Sequence, residues 1–151
     1  MKTLPVLAAL SLLLLLSVGG WYLYAQVLRE EAMQQSSREL IVDISQALTT
    51  ANNPQLILDR AHASWSESGR ADFLAAYQRE QPALGQLTAV RDINEDIKLT
   101  SVWRLRNQST AWFALLADFE SGPGGISAKL IWDNGRWQFQ EYFLYRFFEP
   151  S

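Results

Sequence analysis

The stretch LIWDNGRWQFQ, residues 130–140, decides the fold of the C-terminal half of this chain. Its centre, Asn134-Gly135, stands between two runs that are rich in apolar residues. Asn and Gly tolerate the two positive φ angles of a type I′ turn, which commonly joins neighbouring antiparallel strands. The sequence therefore predicts a β-hairpin here, and with it an antiparallel sheet.

Two more chain reversals are predicted before the hairpin. Residues 122–125 read Gly-Pro-Gly-Gly and residues 107–109 read Asn-Gln-Ser, and both compositions are typical of turns. Twelve of the 18 aromatic residues fall in the segment 99–151, where they suit the pleated surface of a sheet. With the hairpin, these signals predict a four-stranded antiparallel meander. Its first three strands are expected over residues 97–106, 111–120 and 126–132.

Helical periodicity precedes the strands. Between Arg29 and Thr50 the apolar residues recur at steps of three, four and seven, which predicts an amphipathic helix. Asn52-Asn53-Pro54 is expected to end this helix and to begin a second one that runs to about Ser64, because Pro fits a first helical turn. A third helix is predicted from Arg70 to about Gln81, with Pro82 ending it.

Helices followed by a meander predict an α+β domain, in which the helices pack on a curved four-to-five-stranded antiparallel sheet. The last strand carries apolar residues on both faces, so it is either central in the sheet or has a face that meets a partner. We assign Tyr142, Leu144 and Phe148 to that partner-binding face. The residues assigned to the opposite face are Trp137, Phe139, Phe143, Tyr145 and Phe147.

The chain begins with a segment long enough to cross a membrane. No charged residue occurs from Thr3 to Leu28, and residues 12–16 are all Leu. A helix needs roughly 20 apolar residues to span the hydrocarbon core of a bilayer. Aromatic residues between positions 21 and 24 are typical of the boundary between membrane and water. We therefore predict a single span over about Leu4–Leu28.

The alternative is a cleaved signal peptide, because Lys2, an apolar run and small residues near Gly20 also fit that pattern. The apolar run continues through Tyr24, which favours an uncleaved anchor over residues 1–28 and one soluble domain over residues 29–151. A short positive start before an apolar run normally leaves the N-terminus in the cytoplasm. The expected location is a bacterial inner membrane, with the C-terminal domain in the periplasm.

Composition excludes several function classes. Residues 29–151 carry 12 basic and 16 acidic residues, a formal charge of −4, which argues against binding to nucleic acid. The chain has no Cys, so it has no lipidated cysteine, and its single His excludes a multi-histidine metal site. We predict neither a metal nor a cofactor.

Three segments carry a resemblance to known proteins: Phe73-Leu74-Ala75-Ala76-Tyr77, Leu84-Gly85-Gln86-Leu87 leading to Val90-Arg91, and Asn134-Gly135-Arg136-Trp137. They resemble the small cone-shaped domains of the nuclear transport factor 2-like and cystatin-like superfamily, over about the last 100 residues. The chain departs from the longer members because no strand pair is predicted between the second and third helices. Many bacterial proteins of this kind are anchored envelope proteins without a known activity, and fold alone does not set function.

One branch of that group, the ketosteroid-isomerase-like enzymes, implies a carboxylate base in an apolar cone with a donor for an oxyanion. Asp118, with Tyr77 or Tyr142 as the donor, is the set of candidate ligand-binding residues that fits this chemistry. The alternative is that Asp118 faces solvent, as most charged residues do. We favour that alternative and predict no catalytic residue and no enzyme.

The single histidine, His62, has Asp59 three residues before it and Ser64 two residues after it. A solvated Asp–His pair on a helix face is the expected arrangement. Ser64 and Ser66 lack the strand-turn-helix context of a nucleophile elbow.

The acidic group Asp92, Glu95 and Asp96 has the oxygen ligands of a cation site. Its spacing lacks the glycine and the closing glutamate of a calcium loop, so a solvated turn is expected. The prediction is therefore that this group binds no metal.

The leading functional hypothesis is a non-enzymatic, membrane-anchored envelope protein whose exported domain binds a protein partner as an accessory or assembly subunit. The alternatives are a cone that binds a small ligand and an isomerase-like enzyme. A filled core with an exposed aromatic face favours the first, a closed apolar cavity the second, and a buried Asp118 the third.

Overall fold

A computed structural model of the protein describes residues 4–100 and 108–147. Its elements follow the predicted order of helices and then strands. The helices are α1 (Leu4–Ala51), α2 (Gln55–Leu58) and α3 (Glu67–Leu84), and the strands are β1 (Leu87–Lys98), β2 (Thr110–Phe119), β3 (Gly122–Asp133) and β4 (Arg136–Arg146).

α1 is one continuous helix, as predicted for a span that runs on into an amphipathic segment. The chain forms two compact units, one up to Ser36 and one from Ser37. In the first unit, the large apolar side chains from Val6 to Leu28 are exposed. A segment of 18 residues in this helix has a mean hydropathy of 2.1 and no buried residue. By length and composition the helix can cross a membrane, a property that a signal sequence shares.

The second and third helices differ from their predicted bounds. α2 ends at Leu58 because the following residues pair with the sheet: His62 N donates to Phe139 O and Phe139 N donates to Arg60 O, both at 2.7 Å. α3 continues through Pro82 and ends at Gly85, whose φ of 76° closes the helix. At its start, Ser66 is the N-cap and accepts a hydrogen bond from Gly69 N at 3.0 Å.

The four strands form one antiparallel sheet in the order β1-β2-β3-β4, and the sheet is curved and unclosed. The predicted α+β architecture is therefore confirmed. Asn134 and Gly135 have φ angles of 51° and 75°, as the predicted type I′ turn requires. The reversal before β3 lies at Glu120 and Ser121, and the predicted turn residues 122–125 are already in the strand. Most of the predicted strand 97–106 lies outside the described residues.

One face of the sheet holds the core. Side chains of β2, β3 and β4 on this face are almost fully buried, together with side chains of α1 and α3. The largest of them are Tyr142, Phe73, Phe113, Phe139, Ile41 and Leu48. α1 contributes further bonds to the sheet, because Thr49 Oγ1 accepts from Leu87 N at 3.0 Å and Ser45 Oγ bonds Tyr142 Oη at 2.9 Å.

β4 contains an irregularity that changes its faces. Lys129 pairs with Glu141 and Leu130 pairs with Phe139, so Gln140 is an extra residue in β4. A bulge of this kind shifts the alternation by one position. Phe139 and Tyr142 therefore both face the core, although they are three residues apart.

The bulge corrects our assignment of the partner-binding face. Tyr142 and Leu144 have 0% and 2% of their surface exposed, so they are core residues. Trp137 and Phe139 are also buried, whereas Tyr145 and Phe147 are exposed. Phe148, the third residue assigned to the partner-binding face, lies outside the described residues.

Candidate functional site

The face of the sheet opposite the core exposes large apolar side chains. We call it the outer face and define it by Trp112, Ala114, Leu116, Ser127, Lys129, Phe143 and Tyr145, followed by Phe147. Four of these residues have about two fifths of their surface exposed: Trp112 with 41%, Leu116 with 38%, Tyr145 with 37% and Phe147 with 43%. A group of large exposed apolar residues on one face is typical of an interaction site.

Contacts within the outer face hold its aromatic rings in place. The ring of Tyr145 lies over Gly125, where a Cβ atom would come within 2.4 Å of it. Tyr145 and Phe147 meet edge to face, with ring centroids 5.7 Å apart. At the other end, Lys129 Nζ lies 4.7 Å from the centroid of Trp112. The outer face is therefore a pre-arranged surface.

The polar and charged residues at the rim of the outer face lie mainly on β1. Asp92, Asn94 and Asp96 are exposed and pair with β2 residues of this face. The predicted solvated turn is thus part of a strand. Glu95 points to the other side and forms an ion pair with Arg38, which raises the pKa of that guanidinium. Among residues 4–100 and 108–147, no group of three His, Cys, Asp or Glu residues could hold a metal ion.

Asp118 lies at the end of β2, on the side of the sheet away from the core. Its carboxylate accepts a hydrogen bond from Arg91 Nε at 2.5 Å, and about a quarter of its side chain is exposed. Tyr142 is fully buried on the opposite side. The structure therefore does not bring Asp118 and Tyr142 together, which an isomerase-like site would require.

The two candidate phenols, Tyr77 and Tyr142, belong to the core. Tyr77 Oη lies 3.1 Å from Leu48 O and 3.1 Å from Asn52 Oδ1. Burial raises the pKa of Tyr77 to about 12 and raises that of Tyr142 above its ordinary value of 10. Tyr77 also lines an open cleft of about 270 Å³ beside α3. Both phenols stay neutral at physiological pH and act as hydrogen-bonding core residues.

A second polar cluster surrounds His62, and the predicted solvated pair of Asp59 and His62 on a helix face is wrong, because His62 follows the end of α2 and is buried. Asp59 accepts a hydrogen bond from Gln55, and the carboxylate at His62 is that of Asp133, with Nε2 and Oδ2 3.1 Å apart. His62 Nδ1 lies 2.6 Å from Ser64 Oγ. Gln140, the bulge residue, donates to Ser64 Oγ at 2.8 Å. Sequence spacing missed Asp133 and Gln140 because both are more than 70 positions from their partners.

The outer face was also missed in part, although a signal for it was present. Trp112, Ala114, Leu116 and Asp118 alternate with the buried residues of β2, so period-two counting assigns them to one face. The prediction from the sequence places the partner-binding face on the last strand alone.

Comparisons with known proteins give no assignment. No protein-family model matches this chain, and neither a curated protein nor a solved structure matches it.

Proposed function

We propose that this protein is a membrane-anchored accessory or assembly subunit whose domain binds a protein partner through the outer face of its sheet. The observation that carries the proposal is the exposure of Trp112, Leu116, Tyr145 and Phe147 on one face. The large apolar residues of the opposite face are already buried by helices. Exposed Trp and Tyr are the residue types that dominate binding energy in protein interfaces.

We also propose that α1 anchors the protein in the bacterial inner membrane, with the domain in the periplasm. The apolar, exposed N-terminal part of α1 supports the anchor. Lys2 before the apolar run supports a cytoplasmic N-terminus. The helices and the four-stranded antiparallel sheet are compatible with a nuclear transport factor 2-like domain, which is the family that we propose.

Two observations argue against the alternative functions. The core side of the sheet is filled by large side chains such as Phe73, Phe113 and Tyr142, which leaves a small ligand less room than an open cone would. The position of Asp118 beside Arg91 keeps its carboxylate near solvent and paired, whereas an isomerase-like base needs apolar walls.

The first experiment is extraction of the full-length tagged protein from its native membranes in a mild detergent, followed by mass spectrometry. We expect a stoichiometric membrane or envelope protein to co-purify. In the double variant Trp112→Ser and Leu116→Ser, the loss of two large apolar contacts should weaken binding by about 2 kcal/mol or more, which is a roughly thirtyfold higher Kd, and should reduce the amount of captured partner.

The matched control is Asn94→Ser, which changes a polar residue at the rim of the same face. This variant should retain the partner, and circular dichroism should show that all variants are folded. A protein that purifies alone, or a partner that the double variant still captures in full, would contradict the proposed docking role.

A further inference from the structure

The hydroxyl of Ser64 lies at the end of a chain of hydrogen bonds that the fold assembles from two distant parts of the sequence. Ser64 Oγ lies 2.6 Å from His62 Nδ1, and His62 Nε2 lies 3.1 Å from Asp133 Oδ2. Ser64 is exposed, while His62 behind it has only 7% of its surface accessible. A hydroxyl, an imidazole and a carboxylate in this order are the elements of an activated nucleophile.

The main chain determines which imidazole nitrogen carries the proton. Ser64 N lies 3.1 Å from His62 Nδ1, and because a backbone N–H can only donate, Nδ1 must be the unprotonated nitrogen. In neutral imidazole the proton then lies on Nε2, from which it is donated to Asp133. The one lone pair of Nδ1 is shared between Ser64 N–H and Ser64 Oγ, which lies 2.6 Å away, and Nδ1 is the nitrogen that takes the hydroxyl proton as a general base.

Packing on both sides of Ser64 holds this arrangement rigid. Residues 60–62 are fixed to β4 by the two main-chain hydrogen bonds with Phe139. On the other side, Trp65 is 4% exposed and its ring packs against Phe73, with centroids 5.6 Å apart. A reacting group needs such support, because its geometry must be held to within a fraction of an ångström.

We propose that Ser64 is a nucleophile that accepts an acyl group from a carboxylic ester. Ser64 Oγ attacks the carbonyl carbon and forms a new C–O bond while His62 Nδ1 takes the hydroxyl proton. The bond from the carbonyl carbon to the leaving alcohol breaks, and the alcohol leaves with the proton from Nδ1. Water then hydrolyses the acyl-serine by the reverse proton path, which regenerates Ser64 and releases the acid.

Gln140 and Asp133 have separate roles in this step. Gln140 Nε2 donates to Ser64 Oγ at 2.8 Å, so it holds the attacking oxygen in place. Asp133 does not touch the reacting atoms. It is a positioning residue, because it holds the imidazole in the Nε2–H form and stabilises the imidazolium.

The exposure of Ser64 leaves its hydroxyl accessible to a substrate. An ester can approach this hydroxyl from the open side, so the acyl group need not enter a deep pocket. This activity is independent of the proposed docking role, since none of its residues belongs to the outer face.

The test treats the full-length protein in detergent with a fluorophosphonate, a reagent that labels activated serines, and maps the label by peptide mass spectrometry. Ser66 and Ser68 are internal controls on the same segment, because they bond each other at 3.2 Å and neither is bonded to the imidazole. We expect the label on Ser64, at least about tenfold above Ser66 and Ser68, and release of 4-nitrophenol from 4-nitrophenyl acetate. Equal labelling of the three serines, or none, would overturn the proposal.

Substitutions test Ser64 as the nucleophile and His62 as the general base. Ser64→Ala should abolish the label and the release of 4-nitrophenol, whereas Ser68→Ala should leave both unchanged. His62→Gln should slow acylation by about 100-fold, as expected for the loss of a general base. A labelling rate that His62→Gln leaves unchanged would overturn the role of His62, and the comparison among the three serines in the native chain remains valid even if that variant does not fold.

The positioning role of Asp133 has a spectroscopic test. His62 is the single histidine of the chain, so the nitrogen-15 NMR spectrum of the isotope-labelled, untagged protein contains the signals of one imidazole. We expect the Nε2–H form in the native chain, a shift towards the other form with slower acylation in Asp133→Asn, and partial rescue in Asp133→Glu. Slower acylation with an unchanged imidazole spectrum would show that Asp133 acts only through stability and would overturn this role.

Discussion

At the scale of single residues, two buried phenols make the stability of the domain depend on pH. Tyr77 and Tyr142 are 3% and 0% exposed, and their hydroxyls bond the C-terminal part of α1 at Leu48 and Ser45. Burial disfavours the phenolate, so the folded state keeps both hydroxyls protonated to a higher pH than the unfolded chain does.

We predict that the free energy of unfolding falls as the pH rises from about 10 towards 12. The unfolded phenols lose their protons near pH 10, whereas the pKa of Tyr77 in the folded state is about 12. Within this window the unfolded state binds fewer protons, so stability decreases with pH. In Tyr77→Phe the decrease should be less steep, at a cost of about 1 kcal/mol at neutral pH from the lost hydrogen bond. Urea unfolding followed by Trp fluorescence at several pH values measures both effects.

Tyr145→Phe is the matched control, because Tyr145 carries the same phenol in an exposed position. It should leave the dependence on pH between 10 and 12 as it is in the native chain. Equal slopes for the two variants would contradict the role of burial at Tyr77.

The carboxylate partner of His62 is a contact that the sequence pattern could not predict. The neighbours of His62 in sequence suggested Asp59, yet the carboxylate at the ring comes from Asp133, 71 positions away. A local pattern predicts contacts only within a helix turn or across a tight hairpin. The contact between His62 and Asp133 depends on how the segment after α2 lies against the β3–β4 hairpin, which the pattern does not encode.

At the scale of elements, the bulge in β4 explains why the sequence pattern placed Tyr142 and Leu144 on the wrong face of the strand. Counting by two along the strand is correct only while the strand is regular. Gln140 adds one residue after Phe139. The next core positions are therefore Tyr142 and Leu144, where a regular strand would have Glu141 and Phe143. The hairpin turn was predictable because Asn134-Gly135 is a local signal, whereas the bulge is stabilised by tertiary contacts such as that between Gln140 and Ser64.

The bulge predicts an asymmetry between two single-residue deletions. Without Gln140, Phe139 and Tyr142 would be two positions apart, so both would still face the core in a regular strand with the existing pairs. We therefore expect this deletion to keep the fold and cooperative unfolding. Deletion of Phe143 instead moves Leu144 to the outer face and Tyr145 into the core, or forces the register to slip, and should cost about 3 kcal/mol or more.

Thermal unfolding followed by circular dichroism distinguishes the two deletions. The chain without Gln140 should melt cooperatively within a few degrees of the native chain, and the chain without Phe143 should melt far lower or lack a transition. A similar loss of stability in both would mean that Gln140 is required for pairing and is not a tolerated insertion.

At the scale of the whole molecule, the order of elements was predictable and the functional surfaces were not. The apolar start, the helical stripe of α1 and the turn signals are each local, and together they specify helices followed by a meander. The outer face and the cluster at Ser64 exist only after the strands pair, because pairing determines which residues share a side of the sheet. The architecture therefore follows from the pattern, and the sites follow from the register.

The apolar N-terminal segment predicts that the whole protein is anchored in a membrane. We expect the mature protein to retain its N-terminal segment, so that its intact mass includes residues 1–28, and to need detergent for release from membranes. A charged residue in the centre of a span costs about 2.5–3.5 kcal/mol. Leu14→Arg together with Leu16→Arg should therefore move much of the protein out of the membrane fraction, while Ser11→Ala should not. Intact-mass analysis and membrane fractionation measure these outcomes, and a soluble protein that lacks its first twenty or so residues would identify the segment as a cleaved signal instead.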